Sequence, residues 1–326
     1  MAISRRRFLC SAATAAITVT VLQKSASAYP DRPIRLIVPF PPGGVNDAVA
    51  RPWAEAMKTR LGTVVIENMG GAGGSLGAGN VARAQPDGYT ILLGNTGTQV
   101  LHPLGQSRPA YDPVKSFDPI SILGLASVGI VVHPSVPAAN LKEFIAYAKT
   151  KGAKLSYGSP GFGTLSHVTA ELFKSLAGTP EIVHVPYRGT GPALTDLMAG
   201  TLQMLTPNVT ASVLGLHKAG KIRLLAITSP TRLSAAPDIA TAVEAGLPRM
   251  ISQNFIGLFA PAQTPKPMVD QIAQATRVAM SDLKGIYLAA GFEPNLQPSP
   301  DAARAAVEEQ VAHWTPVIRS IGLKLD

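Results

Sequence analysis

From Ile34 onward, short apolar runs rich in β-branched residues alternate with segments whose apolar positions recur every three or four residues. The runs Ile34–Phe40, Thr63–Glu67, Thr90–Gly94, Gly129–His133, Leu155–Gly158, Ile182–Tyr187, Gln203–Thr206 and Ile222–Thr228 predict strands. Between them, Leu141, Phe144, Ile145 and Ala148 are spaced as one face of a helix, and Leu165, Val168, Leu172 and Leu176 make a second stripe. This alternation predicts an α/β architecture, with parallel sheets covered by helices on both faces.

The C-terminal part differs. After the apolar run Phe255–Ala260 come two long helical patterns, Lys266–Asp282 and Pro300–Ile321, separated by a short strand-like piece at Phe292–Leu296. Such helices need a sheet to cover, and the first domain offers one. The chain is therefore expected to cross to a second domain near Ser127–Val131 and to return near Ser252–Gly257, neighbourhoods punctuated by Pro134, Pro137, Pro248 and Pro261. Residues 29–128 and 252–326 would form domain 1, and residues 129–251 domain 2. Two crossings make a two-segment hinge that permits closure around a ligand.

One turn recurs. "VPFPPGGVND" (Val38–Asp47), "YGSPGFGTLSH" (Tyr157–His167) and "VPYRGTGPALTD" (Val185–Asp196) share a grammar: a strand, a Gly/Pro-rich turn, then a hydroxyl or Asn/Asp near a helix start. In open α/β sheets ligands bind beyond the carboxyl ends of the strands. Helix N-termini there present unpaired N–H groups and a partial positive charge. Three such ends facing one cleft would make an anion site built mostly from backbone, with Ser159, Thr164 and Thr190 adding hydrogen bonds. The only cation in the three turns is Arg188. Asp47, negative beside the expected anion, is expected to cap its own helix.

Composition narrows the setting. "SRRRFLC" (Ser4–Cys10), a weakly apolar stretch from Ser11 to Leu22, and "SASA" (Ser25–Ala28) together read as a twin-arginine export signal cleaved after about Ala28. Lys24 near the cleavage point suits that route; an ordinary secretory signal would export the protein equally. The only cysteine, Cys10, falls in the signal, so the remaining chain has no disulfide, thiol nucleophile or cysteine metal site. The signal also holds four of the 29 Lys and Arg residues (Arg5, Arg6, Arg7, Lys24) and none of the 20 acids. From Tyr29 onward the chain keeps a basic excess of five, spread without runs. That is too diffuse for nucleic acid and fits, at most, a preference for small anions.

Three motifs invite other readings. "GGSLG" (Gly73–Gly77) has the form of a nucleophile elbow at Ser75, but it lies within the glycine-rich "MGGAGGSLGAGN", with no acid and His partner suggested nearby. "GAGNVA" (Gly77–Ala82) matches a dinucleotide fingerprint, yet no acidic residue occurs between Asp87 and Asp112, where the ribose partner belongs. "GLHKAGKI" (Gly215–Ile222) has P-loop spacing but ends in Ile222 and precedes a strand instead of following one. The six histidines show no metal-ligand spacing. His133 and His184 read as core-edge residues, and only His167, one turn into a site helix, reads as functional. No cofactor, metal or catalytic residue is expected.

In order along the chain stand "IRLIVPFPPGGVNDAVAR", "VVIENMGGAGGSLGA", "PDGYTILLGNTGT", "YGSPGFGTLSHVTAELFKSLAG", "HVPYRGTGPALTDLMAG", "AGKIRLLAITSPTR" and "GLFAPAQTP". Together they resemble the Bug-type periplasmic substrate-binding receptors of tripartite tricarboxylate transporters, over the whole of the chain after the signal. The resemblance implies a two-domain, type II periplasmic-binding-protein fold with two crossover strands at the hinge. It also implies capture of an organic carboxylate and delivery to the large and small membrane subunits of a permease, by a monomer that turns nothing over. It carries a ligand role to Phe40, Gly43, Gly44, Val45 and Asn46; to Asn95, Thr96 and Thr98; to Ser159, Phe162, Gly163, Thr164 and His167; to Tyr187, Arg188, Gly189 and Thr190; and to Asn208, Asn254 and Phe255.

One departure bears on the ligand. Where the family often carries an acidic residue suited to an ammonium group, this chain reads Thr206-Pro207-Asn208. The expected ligand is therefore a carboxylate without an amine, its aliphatic or aromatic body against Phe40, Phe162 and Phe255. Two other classes share parts of this pattern. A sensory binding protein would differ only in its docking partner, and an exported hydrolase would depend on Ser75.

Overall fold

The computed structural model describes residues 29–151 and 154–325; the expected export signal lies outside the described residues. β1 (Ile34–Val38) buries Ile34, Leu36, Ile37 and Val38 completely, as a strand covered on both faces must. It lies between β2 (Val64–Asn68) and β3 (Thr90–Asn95) and runs parallel to both. α1 (Val45–Met57) follows β1, and α2 (Ser75–Ala82) follows β2. β3 leads into a π-helical turn, Gly97–Leu101, and the short α3 (His102–Gly105).

β4 (Phe117–Ser127) then runs to the sheet's end, and β5 (Gly129–Val132) already belongs to a different sheet, so Val128 alone joins the two. The second sheet is built from α4 (Leu141–Lys151), β6 (Ser156–Ser159), α5 (Leu165–Ala177), β7 (Val183–Pro186), α6 (Thr190–Met198), β8 (Met204–Leu205), α7 (Ala211–Lys218) and β9 (Arg223–Ile227) with their connections. β10 (Gln253–Pro261), α8 (Lys266–Ala289), β11 (Glu293–Pro294) and α9 (Pro300–Ile321) return to the first. The strand orders are β11-β4-β10-β3-β1-β2 and β7-β6-β8-β5-β9.

Neither sheet is wholly parallel, which corrects the sequence reading. β10 is antiparallel to β3 and β4, β11 to β4, and β5 to β8 and β9. The cause is topological: strands that enter from the neighbouring sheet arrive without a helical crossover and need not keep the direction of the βα units. The passages between sheets are tied together. Thr228 N–H and Oγ1 both donate to Val128 O, while Thr228 Oγ1 also lies 2.7 Å from Ser252 O. Val209 N–H donates to Ser127 O, which fixes the Pro207–Val209 turn to the same place.

The long helices end where their caps dictate. Ser299 Oγ accepts from Ala302 N–H at the start of α9, Pro300 opens its first turn, and Gly322 closes it at φ 64°. α5 is capped by Thr164 and closed by Gly178 at φ 67°. α8 runs past Asp282 to Ala289, because Leu283 and Tyr287 are buried and Tyr287 Oη donates to Val49 O. It packs on α1, where the buried Trp53 Nε1 donates to Thr276 Oγ1. α9 covers β4 and also touches α5, so one apolar cluster runs from Phe117 and Phe259 through Trp314 to Val168 and Phe173.

Candidate ligand-binding site

A cavity of about 550 Å³ lies where the turns after β1 and β3 meet those after β6, β7 and β8. Four helices point their N-termini into its wall. α1 contributes Phe40–Asn46, α5 contributes Thr164, Leu165 and Ser166, and α6 contributes Arg188–Pro192. The fourth, α7, contributes Thr210, Ser212 and Val213. The first-turn amides of an α-helix have no intrahelical acceptor, so each end offers donors and a partial positive charge. Arg188 is the only charged side chain in the lining, and no carboxylate is among it.

The chain shapes these ends by hydrogen bonds made behind the cavity. The Asp47 carboxylate accepts from Gly43 N–H and pairs with Arg51, while Asn68 Nδ2 reaches its other oxygen. Burial pushes the Asp47 pKa up, but Arg51, Gly43 and Asn68 outweigh it and hold the carboxyl below its ordinary range. Asp47 thus braces the turn before its helix and does not cap the helix itself, whose N-cap is Gly44. On the floor, Asn95 Nδ2 donates to Asn46 Oδ1 and Asn254 Nδ2 to Asn208 Oδ1. The second of these bonds links β10 to the second sheet's turn.

Of the residues singled out from the sequence, Phe40, Gly43, Gly44, Val45, Asn46, Asn95, Thr164, Arg188, Gly189, Thr190, Asn208 and Asn254 line this cavity. The other eight lie outside its lining, each for a local reason. Thr96 Oγ1 bonds Gln253 O and Phe255 N–H, and Thr98 closes the turn on Asn95. Ser159 Oγ faces Gly161 and His184, and Gly163 N–H donates to His167 Nδ1. Tyr187 Oη donates to Asp196, and Phe255 is buried against Phe259. Phe162 is 55% exposed and stands edge-on to the His167 and His184 rings. Of the three phenylalanines expected against a ligand body, only Phe40 lines the cavity.

The sequence reading missed α7. "LTPNVTAS" follows the same grammar of strand, Pro-turn and hydroxyl near a helix start. Thr210 Oγ1 accepts from Val213 N–H as Thr164 Oγ1 does from His167 N–H at α5, whereas α1 and α6 start on Gly44 and Gly189 without a side-chain cap. It also missed Pro41, Pro42, Gly97, Pro160, Leu165, Ser166, Gly191, Pro192, Leu194 and Pro207. Ser75 is outside the lining; its Oγ donates to Ala72 O. "GAGNVA" forms most of α2, where a Cβ on Gly77 would meet Met69 O at 2.8 Å, so that glycine serves helix packing. Among the described residues, no group of three His, Cys, Asp or Glu is placed to hold a metal, and no helix is long and apolar enough to cross a membrane.

The family model for the tripartite tricarboxylate transporter family receptor matches residues 49–323. The chain belongs to this family. A UPF0065 protein of Bordetella pertussis is 36% identical to this receptor over 316 residues, 96% of each chain. The periplasmic binding protein BugD has 34% identity and a TM-score of 0.84, covering 91% of this chain and 99% of its own. MatC from Rhodopseudomonas palustris, solved with bound malate, has 33% identity and a TM-score of 0.83, covering 89% and 100%. The receptor therefore has the two-domain periplasmic-binding fold and is of the Bug type, in a family of solute-binding receptors.

Proposed function

We propose that this chain is a periplasmic receptor that closes two lobes, residues 29–128 with 252–326 and residues 129–251, around a small organic carboxylate without an amine. It would hand that solute to the membrane subunits of a tripartite tricarboxylate-type transporter and leave it chemically unchanged. One observation carries the reading: four helix N-termini and a single cation, Arg188, surround a cavity lined by no acid. An anion is welcome there, and an ammonium group would lack a partner. Malate in the related MatC supports the carboxylate class.

The magnitudes are consistent. A helix end contributes about 0.3–1 kcal/mol, or ~2 where partly buried, so four supply roughly 1–8 kcal/mol. A micromolar ligand requires about 8 kcal/mol, and Arg188, Thr190, Ser212 and the Asn208 amide supply further donors. Thermal shift and calorimetry on the chain without its signal, with malate, succinate, adipate, benzoate, aspartate and glutamate, test the reading. At least one amine-free carboxylate should stabilise the protein by a few kcal/mol at a hundredfold excess over its Kd. Tighter binding of aspartate or glutamate, or no binding by any of the six, would refute it.

A further inference from the structure

Behind the α5 terminus, the bonds that shape the Pro160–Thr164 turn converge on two stacked imidazoles. Gly163 N–H donates to His167 Nδ1 at 3.1 Å, and His184 Nε2 lies 2.7 Å from Ser159 Oγ. Ser159 Oγ in turn accepts from Gly161 N–H, and Thr164 Oγ1 donates to Gly161 O. The His167 and His184 rings are 4.2 Å apart and 16° from parallel, with Tyr157 stacked below at 4.7 Å from His184. The two imidazoles lie outside the cavity lining, whereas Pro160, Thr164, Leu165 and Ser166 belong to it.

We propose that His167 is a positioning residue, which holds this turn in its anion-receiving shape only while its imidazole, stacked on His184, is neutral, making binding at the α5 terminus acid-labile. The proposal rests on the carboxylate-receptor reading of the cavity. A neutral His167 accepts at Nδ1 and so carries its proton on Nε2. Protonation turns Nδ1 into a donor that opposes Gly163 N–H, and it sets an imidazolium against a second imidazole. The turn must then break one of its bonds or shift.

The surrounding charges act in the same direction at His167 and are divided at His184. Lys174, on α5, lies 5.6 Å from the Tyr157 ring centre and disfavours a proton on either histidine. Glu171, which accepts from Tyr157 Oη and pairs with Lys174, opposes that effect at His184. From the first sheet's side His102 approaches, packed under Gly163 beside Leu325, and burial lowers its pKa also. Burial first, then Lys174, brings His167 down to about 4; burial first, then His167 and Lys174 against Glu171, brings His184 to about 3. At neutral pH the turn is therefore locked.

NMR of the ligand-free protein, with ¹⁵N-labelled histidine and glycine, tests this directly. The Gly163 amide resonance should move with the His167 titration, below pH 5. Titration of His167 near 6.5, or a Gly163 resonance that ignores it, would overturn the proposal. His167→Asn retains an acceptor for Gly163 N–H but no proton to gain. Between pH 6 and 4 the parent should lose about twofold more malate affinity than the variant, because a His167 brought down to about 4 is half protonated at pH 4, whereas protonation of malate itself is common to both. Equal losses would overturn the proposal. Absence of any carboxylate binding at pH 7.5, with the Gly163 coupling intact, would instead refute the receptor reading.

Discussion

Replacing Arg188 with Met separates ligand binding from folding more cleanly than any other change in the cavity. Arg188 is exposed, and among the described residues it makes no ion pair and no side-chain hydrogen bond, so removing it should break nothing in the empty protein. The unfolding midpoint should stay within about 0.5 kcal/mol of the parent. A carboxylate in the cavity, by contrast, has this guanidinium as its only full countercharge. A hydrogen bond to a charged group contributes about 1.5–3 kcal/mol, which converts to a Kd weaker by roughly 10- to 150-fold. The Coulomb energy sets a ceiling, about 4 kcal/mol for charges 4 Å apart at an effective dielectric constant of 20.

Binding should weaken without vanishing, because the four helix ends remain. Calorimetry with the tightest carboxylate of the panel, at low and moderate salt, reads both effects. The parent should lose affinity as salt rises, and Arg188→Met should lose less, since its remaining contacts are partial charges held close to the ligand. A Kd within threefold of the parent would refute the placement of an anion beside Arg188. So would a drop in apo stability large enough to explain the loss.

Three further outcomes rest on the same geometry. Because His167 and His184 titrate near 4 and 3 when folded but near 6.5 when unfolded, the unfolded chain binds more protons in between. Stability should fall as pH drops from 6.5 toward 4, by about 3 kcal/mol for His167 alone, and then level off. Urea titrations at pH 7 and 4.5 showing the same fall in His167→Asn would refute that assignment. Thr210→Ala removes the α7 cap and should cost about 0.5–2 kcal/mol, read by urea unfolding; an unchanged midpoint would mean the cap bond carries nothing. In Gly73→Ala, at φ 64°, the new Cβ would lie 2.4 Å from Phe162 O, so scattering should report a more open protein and binding should weaken. Gly220→Ala, at φ 68° with open space around it, carries the backbone strain alone and should change neither.

The parts of the fold legible in the sequence are those where one short-range signal suffices. α9 begins and ends where the pattern of Ser299, Pro300 and Gly322 places it. β1, β2 and β3 each carry a short uninterrupted apolar stretch, at residues 36–38, 64–66 and 91–93, and feed helical turns. β4 escaped notice because it satisfies no period: Pro119 and Gly124 interrupt it, nine of its eleven positions are buried, and its register with β10 shifts twice. Its identity as a strand comes from β10 and β11 beside it, which are more than a hundred residues away in sequence. Gly285 hid the last two turns of α8 in the same way. It costs about 1 kcal/mol relative to Ala within a helix, a cost that the burial of Leu283 and Tyr287 offsets through tertiary contacts.

At the site, the grammar of strand, turn and helix start locates backbone donors but not the direction of each hydroxyl. Ser159, Thr96 and Thr98 sit in the right turns and turn their oxygens inward, each to a bond that a flat reading of the sequence would have left for the ligand. Thr190 and Ser212 occupy equivalent places on α6 and α7 and line the cavity instead. The difference lies in what stands behind each turn. Behind α5 two imidazoles offer nitrogen partners, and behind β3 the edge of β10 offers a carbonyl and an amide. The first turn of α6, preceded by the extended Gly189, has no such partner and presents its hydroxyl to the cleft. A binding site made from main-chain amides is therefore specified twice, once by the turns that gather the amides and again by the buried groups that draw the competing side chains away.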